Sequence, residues 1–593
     1  MIDITLVLHN SSVHLPKLVA SLVAPGALPE GTALLVYDNA STDGSAGQIE
    51  TLLAPHRAKF HDLKILRGVE NLGFGRGHNA AAKEGAAEFI FVLNPDAELT
   101  PACLPTLYET ARADDAKTAA WEARQAPYEH PKIYNPVTLE TSWVSAAGVL
   151  LRRSAFDAAG GFDPEFFLYG EDVDLSWRLQ DLGYTLRYCP RAVLLHHTYA
   201  TPGEVKPMQF IGSIRANLYL RTRFGNWRAI AAGVLRQLSL LRPSRRQIPK
   251  QRRVVLKGLW LWLQHFHHWR QGSKRRIKHR FHAWEYETAR LGAFYDISAG
   301  IRIANPPRVS VLIRTIGRTA LLKDALACIM HQAYKNIETV IVEDGPETLR
   351  EFLSPYRKEI AITYEALGGN RGRCAAGNRA MQLARGEYFL FLDDDDLLYA
   401  DHIEQLVAAI LQHQTKAAMS YSFELPSEYA AKEQGGGIIR EGVLFSRFHA
   451  PFSFTRLLRH NYIPIHTVLF HRALFAECGG LDPAIAYNED WNLWVRYAIH
   501  ARPFATVPKT TAIYRVPMDN EAEGGRHSLM VEHQERVRKM QAELPVTLTV
   551  SELLALVESS PHEAIGLRDQ IIARYPRFRR PIMLLAKISR FFG

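Results

Sequence analysis

Residues 71–96, NLGFGRGHNAAAKEGAAEFIFVLNPD, lie over residues 370–395, NRGRCAAGNRAMQLARGEYFLFLDDD, without a gap at a constant offset of 299. Asn71 meets Asn370, Gly73 meets Gly372, Asn79 meets Asn378, and Asn94-Pro95-Asp96 falls on Asp393-Asp394-Asp395. The likeness extends both ways. ITLVLHN (4–10) answers to VSVLIRT (309–315), and LLVYDNASTDGS (34–45) to TVIVEDGPET (339–348). Downstream, VLLRRSAFDAAGGFDPEFFLYGEDVDLSWR (149–178) parallels VLFHRALFAECGGLDPAIAYNEDWNLWVR (468–496) with one residue of slippage. A chain that carries itself twice is constrained to two related domains in tandem. A length of 593 residues, too long for one core, agrees.

Each copy has the same rhythm: apolar strand, amphipathic helix, second strand, helix, acid-terminated strand. Continuous apolar strands alternating with helices predict an α/β domain with a mainly parallel, doubly wound sheet. Ligands of such sheets bind beyond the carboxyl ends of the strands, where Asp38, Asp96, Asp344 and Asp393–Asp395 are expected.

The second copy crowds Asp393 to Asp396 onto the end of the apolar run Tyr388–Leu392. At an effective dielectric of 20, two unit charges roughly 6 Å apart repel by about 3 kcal/mol. A bound cation is the obvious offset, a solvated acidic turn the bland alternative.

Four elements in each copy, in the same order and spacing, resemble the family 2 inverting glycosyltransferases of the GT-A fold, with the first copy rhamnosyltransferase-like. They are a first-strand end (Asn10; Thr315), a second-strand acid (Asp38; Asp344), an Asp-x-Asp-type motif, and a downstream Glu-Asp. The resemblance implies that the first two hold the nucleotide of an activated sugar. It implies that the acidic motif seats a divalent Mn²⁺ or Mg²⁺ on the diphosphate, whose departing charge a hard, oxygen-ligated ion neutralises. Asp393 and Asp395 are the expected metal ligands of the second copy, with Asp394 assisting on the nucleotide-sugar side. The first copy retains only Asp96 there, and His197 is a further candidate ligand by analogy with relatives.

The general base is expected in Glu171-Asp172 and Glu489-Asp490, each opening an amphipathic helix anchored by Leu175 and Trp177, or Leu493 and Trp494. Acids also cap helix starts, but the shared GGFDP…GED and GGLDP…NED contexts exceed what capping requires. Asp172 and Asp490 are the expected bases, with Glu171 and Glu489 orienting the acceptor. The Gly/Asn segments lack a phosphate-loop pattern. A helix start near the nucleotide, with Asn71 and Arg76 or Asn370, Arg371 and Arg373, fits them better. Tyr128, His130, Tyr134 and Trp143 offer a weak signal for sugar stacking beside the more common one for core packing.

The net charge of +10 is uneven: residues 205–284 hold nineteen Lys or Arg and no Asp or Glu, and removing them leaves −9. The expected organisation is a first GT-A domain (1–225), a basic helical connector (226–305), a second GT-A domain (306–540) and a helical basic tail (541–593). Trp260, Trp262, Phe266 and Trp269 among the connector cations suit an anionic membrane surface or a bracket docked on the acidic domains. No nucleic-acid-binding motif accompanies the charge, so no nucleic acid is expected. In the tail, Leu584, Leu585, Ile588, Phe591 and Phe592 form one stripe. No signal peptide and no bilayer-length apolar run is read, and five scattered cysteines suit a reducing cytoplasm. These readings converge on a dual-domain inverting transferase acting at the inner face of the cytoplasmic membrane. It takes sugars from nucleotide-diphosphate donors to a growing bacterial surface glycan, an oligosaccharide or lipid-linked acceptor. The alternative keeps catalysis in the second copy and makes the first a glycan-binding or scaffold module.

Overall fold

The computed structural model describes residues 1–130, 132–197, 206–242, 250–271, 290–292, 294–430, 437–518 and 532–558. The chain divides into two compact units, the first of described residues up to 271 and the second of those from 290 on, apart from Pro136–Thr138. The tail stripe from Leu584 to Phe592 lies outside the described residues, as does the connector sequence from 272 to 289.

In the first unit the strands are β1 (Ile2–Leu8), β2 (Thr32–Asp38), β3 (Leu63–Arg67), β4 (Phe89–Leu93), β5 (Ala97–Leu99), β6 (Thr118–Ala126), β7 (Gly148–Arg152) and β8 (Thr185–His196). They form one sheet in the order β3-β2-β1-β4-β7-β6-β8-β5. β1 to β4 run parallel, as continuous buried strands must when helices cover both faces. β7 pairs antiparallel with β4 and β6, so the sheet is mixed beyond its parallel half.

The second unit repeats the plan with β9 (Val309–Thr315), β10 (Ile337–Glu343), β11 (Ala361–Ala366), β12 (Tyr388–Phe391), β13 (Leu397–Leu398), β14 (Ala417–Tyr429), β15 (Ile438–Glu441), β16 (Phe445–Phe448), β17 (Val468–His471) and β18 (Ala505–Pro517). Its order is β11-β10-β9-β12-β17-β14-β18-β13, with β15 and β16 added along the lengthened β14. Both units are therefore α/β, each with the doubly wound half that the repeat predicted.

Register refines the alignment of the copies. Ile2 faces Phe89 where Val309 faces Tyr388, and Thr32 faces Ile2 where Ile337 faces Val309. Thr315 thus corresponds to Leu8, two residues before Asn10, and Asp344 corresponds to Asn39, with Glu343 in the place of Asp38.

The acid-opened helices, Glu171–Asp181 and Glu489–Ala501, are held as expected: Leu175, Trp177, Leu493 and Trp494 are all buried. Trp494 packs on Phe470 of β17 and Trp177 on Phe224, edge to face. Truncating such a Trp to Ala costs about 3–5 kcal/mol. Phe224 ends the helix Pro207–Phe224, on which the helices Trp227–Ser239 and Gln251–Gln271 pack. These two helices, which carry the described part of the basic segment beyond residue 226, belong to the first unit's fold. The indole of Trp269 is buried and donates to Glu165, and that of Trp262 donates to the Thr222 hydroxyl.

Candidate active site

At the end of β12, each of the four aspartates has found a partner within the protein. Arg314, the fourth residue of the apolar run VLIRT on β9, points its guanidinium at Asp393 through two bonds of 2.8 and 2.7 Å. Asp394 accepts from the Thr315 hydroxyl at 2.5 Å and from Arg318, whose Nη2 also reaches Asp395 at 3.1 Å. Asp396 accepts the backbone N–H of Arg515, and His466 Nδ1 lies 2.8 Å from it. The like-charge cost read from the sequence is offset by two guanidiniums and an imidazole. Asp393 sits in a buried setting that would raise its pKa, yet the Arg314 charge holds it below the usual range. Asp394 and Asp396 are raised, chiefly by burial.

Accessibility separates the four. The side chains of Asp393 and Asp395 are 24 % and 25 % exposed, whereas Asp394 and Asp396 are at 1 %. Both open carboxylates line a cavity of about 600 Å³, with Arg314, Thr315, Arg318, Asp344, Arg373 and Tyr487 also on its wall. That volume suits a small-molecule ligand. Among the described residues no group of three or more His, Cys, Asp or Glu side chains converges as a metal cage. Two open carboxylates nevertheless fit a hard cation that completes its shell with diphosphate oxygens and water, as Mg²⁺ commonly does.

The same Arg314 donates from Nη1 to Glu489 at 3.0 Å. One guanidinium therefore ties the acidic motif to the Glu-Asp pair, residues 96 positions apart, at a single cleft. Arg373 stands 3.5 Å from Glu489 and over the Tyr487 ring, so it serves this end of the cavity. Asp490 accepts from Asn461 Nδ2 at 3.0 Å and from the Trp491 N–H. Its pKa is raised, first by burial and then by the Glu489 charge. Asp344 holds the turn before the Arg373–Leu383 helix by accepting from Arg371 N (2.6 Å) and Gly372 N (3.0 Å). Asn370 accepts from Gly372 N as well, so both groups shape the helix entrance, and Arg371 contributes its backbone with its side chain exposed.

The first unit places other residues at the corresponding strand ends. Asn39, in the place of Asp344, donates to Asn71 Oδ1 and Gly73 O and accepts from Leu72 N. Asp38 is buried, its Oδ2 accepting from Ser41 N and its Oδ1 without a hydrogen-bond partner among the described residues. Asn10 takes a positive φ of 51° and caps the Thr42 N–H, while Arg76 is exposed on its helix. Asp172 accepts from Ala146 N and Val173 N, and Asn94 N donates to Ala147 O. Two adjacent residues before β7 thus connect the Asn94-Pro95-Asp96 turn to the base candidate. Burial raises Asp172 and Glu171, and the charge of Lys132 opposes the rise at Asp172. Lys132 is itself buried, paired with Glu122 and 5.0 Å over the Trp143 ring.

Of the two adjacent histidines, His196 faces Asp96, at 3.3 Å, with Gln125 at its other nitrogen. The next side chain along the strand points elsewhere: His197 binds Glu98 at 2.6 Å. Asp96 and His196 therefore stand together in this unit, while His197 is engaged by Glu98. Tyr134 and Trp143 are buried against Tyr188 and His130, which leaves them to packing rather than sugar stacking. The chain pattern had not singled out Arg314, Arg318, Lys132, His196, Asn39 or Asn461. Arg314 carried a signal: a cation inside an otherwise apolar strand needs a buried counter-charge.

The family profile of glycosyl transferase family 2 matches residues 3–170 and again 310–474, more than half the chain. The chain belongs to glycosyl transferase family 2. A second profile, glycosyl transferase family group 2, matches residues 133–272. This family 2 glycosyltransferase is 27% identical over 311 residues to the N-acetylglucosaminyl-diphospho-decaprenol L-rhamnosyltransferase of Mycobacterium tuberculosis, covering 43% of this chain and 97% of that protein. It is 26% identical over 215 residues to the O-antigen biosynthesis protein RfbC of Myxococcus xanthus, covering 32% of this chain and 16% of that protein. Among solved structures, S. aureus TarS 1-349 in complex with UDP-GlcNAc aligns at a TM-score of 0.35 and 15% identity, over 45% of this chain and 76% of that one. The two units are tandem GT-A-like domains, and the protein is a glycosyltransferase, as the repeated motifs implied.

Proposed function

We propose that both domains are inverting transferases that pass sugars from nucleotide-diphosphate donors to a growing bacterial surface glycan, with Asp172 and Asp490 as general bases. The observation that carries this reading is Arg314, which joins Asp393 to Glu489 beside a cavity of about 600 Å³. In the second domain the acceptor hydroxyl gives its proton to Asp490 as its oxygen attacks the anomeric carbon. The bond from that carbon to the diphosphate oxygen breaks on the opposite face, and the nucleoside diphosphate leaves. Asn461 fixes the base carboxylate, and Glu489, neutralised by Arg314, borders the acceptor. Arg318 and Arg373 bring further positive charge to the cavity. Asp393 and Asp395, and Asp96 with His196, would hold the divalent cation, Mn²⁺ or Mg²⁺, that stabilises the departing diphosphate.

The name of the mycobacterial relative, a transferase onto an N-acetylglucosaminyl-diphospho-decaprenol, favours a lipid-linked acceptor. A second reading, in which only the second domain is catalytic, draws on Asp96 being the one carboxylate where the other copy has three. Screening UDP-, GDP- and dTDP-sugars for nucleoside diphosphate release, with product analysis, separates the two readings. Asp172→Asn and Asp490→Asn should each abolish one linkage and spare the other, by roughly 10²–10⁴-fold in rate. Wild-type products from Asp172→Asn would make the first domain a scaffold.

A further inference from the structure

The helices Pro207–Phe224, Trp227–Ser239 and Gln251–Gln271 form a platform on the first domain with a divided surface. One side of the third helix faces inward: Val255 and Trp269 are buried, and Trp262 and Phe266 are half-buried against their neighbours. The opposite side carries Leu256, Trp260 and Leu263 at helical spacing, all exposed, Trp260 by 56 % and Leu263 by 64 %. Arg253 and Lys257 flank that ridge, also exposed. The adjoining helix adds exposed Trp227, Leu235 and Leu238 beside Arg228 and Arg236. It packs on the third helix, Trp227 stacking on Phe266 at 5.8 Å. Residues 205–284 contain no Asp or Glu, so the segment itself is strongly cationic.

A run of large apolar side chains turned to solvent between cations is costly in water and suits the boundary between lipid headgroups and acyl chains. We propose that this ridge, centred on Leu256, Trp260 and Leu263, docks the first domain on an anionic lipid bilayer. The apolar residues enter the headgroup boundary, and Arg253, Lys257 and Arg228 meet lipid phosphates.

The platform grips the segment that leads to the base. Arg223 bonds Asp163 and Asp174, Tyr219 bonds Asp163 at 2.8 Å, and Trp269 bonds Glu165. Phe166 and Trp177 share one apolar cluster with Tyr219, Phe224 and Trp269. Docking through these helices therefore fixes the Glu171–Asp172 segment relative to the bilayer, which suits an acceptor presented on lipid. That last consequence rests on the proposed acceptor class; the docking surface does not.

The test is sedimentation of the full-length chain with phosphatidylcholine vesicles, with and without phosphatidylglycerol. The wild type should bind the anionic vesicles at least tenfold more tightly than the neutral ones, and the preference should weaken as salt is raised. The double variant Trp260→Ser/Leu263→Ser should lose at least tenfold of that binding with its circular dichroism and melting profile kept. Lys257→Glu/Arg253→Glu should lose anionic selectivity. Equal binding by wild type and the Trp260→Ser/Leu263→Ser variant overturns the proposal. So does tighter retention on an RNA oligonucleotide than on vesicles with both pairs of substitutions silent. Asp172→Asn should sediment like wild type. Vesicle binding without transfer would therefore fault the enzymatic reading alone, and transfer to a soluble acceptor without vesicle binding would fault the docking alone.

Discussion

A guanidinium buried in a parallel strand needs a counter-charge on every face it presents, and Arg314 finds two, Asp393 and Glu489. Removing one partner of a buried pair leaves uncompensated charge and costs about 3–5 kcal/mol. Arg314→Met should lower the unfolding free energy of the second domain, measured by urea titration, by that amount, and a loss under about 1 kcal/mol would show the cluster to be solvated. The base carries its own signature. Burial, reinforced by Glu489, lifts Asp490 above the ordinary carboxylate range near 4. A base works ionised, so second-domain activity should fall as pH drops through this raised value, at higher pH than an exposed aspartate would give. A pH–rate profile flat down to pH 5 would contradict the assignment. In the first domain Lys132 stands where no counterpart of Arg314 exists, since Val7 occupies the matching strand position. One electrostatic need is met from a loop in one copy and from a strand in the other.

The helix Phe74–Ala82 begins at Gly73, whose φ of 85° favours glycine. A Cβ there would fall on the carbonyl oxygen of Phe167, which already accepts from Phe74 N. Gly73→Ala should therefore push back the segment leading to Glu171, costing about 1–3 kcal/mol. It should lower first-domain turnover while leaving second-domain turnover intact, as assays with donors specific to each site would show. Strands and helices were legible because periodicity survives divergence: β1, β2 and β4 fall where apolar runs predicted them, and the acids sit at strand ends. What the chain order hid was which side chain faces the cleft. His196 and His197 are adjacent, yet the first meets Asp96 and the second Glu98, a difference that chain order does not carry. Likewise Asp344 and Asp38 share the place of second-strand acid in the sequence, yet register sets Glu343 against Asp38 and Asp344 against Asn39. Arg318 stayed hidden for another reason: its partners, 76 and 77 residues away, are joined to it only by the fold.

At the scale of the chain, a duplicated plan has been kept while its two sets of strand ends were equipped differently. The second has a defined cavity onto which Asp393 and Asp395 open, with Arg314, Arg318 and Arg373 on its wall. The first has Asp96, His196 and a buried lysine, together with the platform that carries the exposed ridge. The proposed activity of both depends on one arrangement, in which residues that seat the donor's diphosphate and a carboxylate that takes the acceptor's proton would meet across one opening. Soaking the protein with Mn²⁺ and the nucleoside diphosphate of its donor, and recording the manganese anomalous signal, tests this most directly. The account predicts a peak on Asp393 and Asp395, with the diphosphate in the cavity bounded by Arg318 and Arg373 and Asp490 across the same opening. Manganese and nucleotide bound on a surface away from Asp395, or a cavity closed off from Asp490, would contradict it.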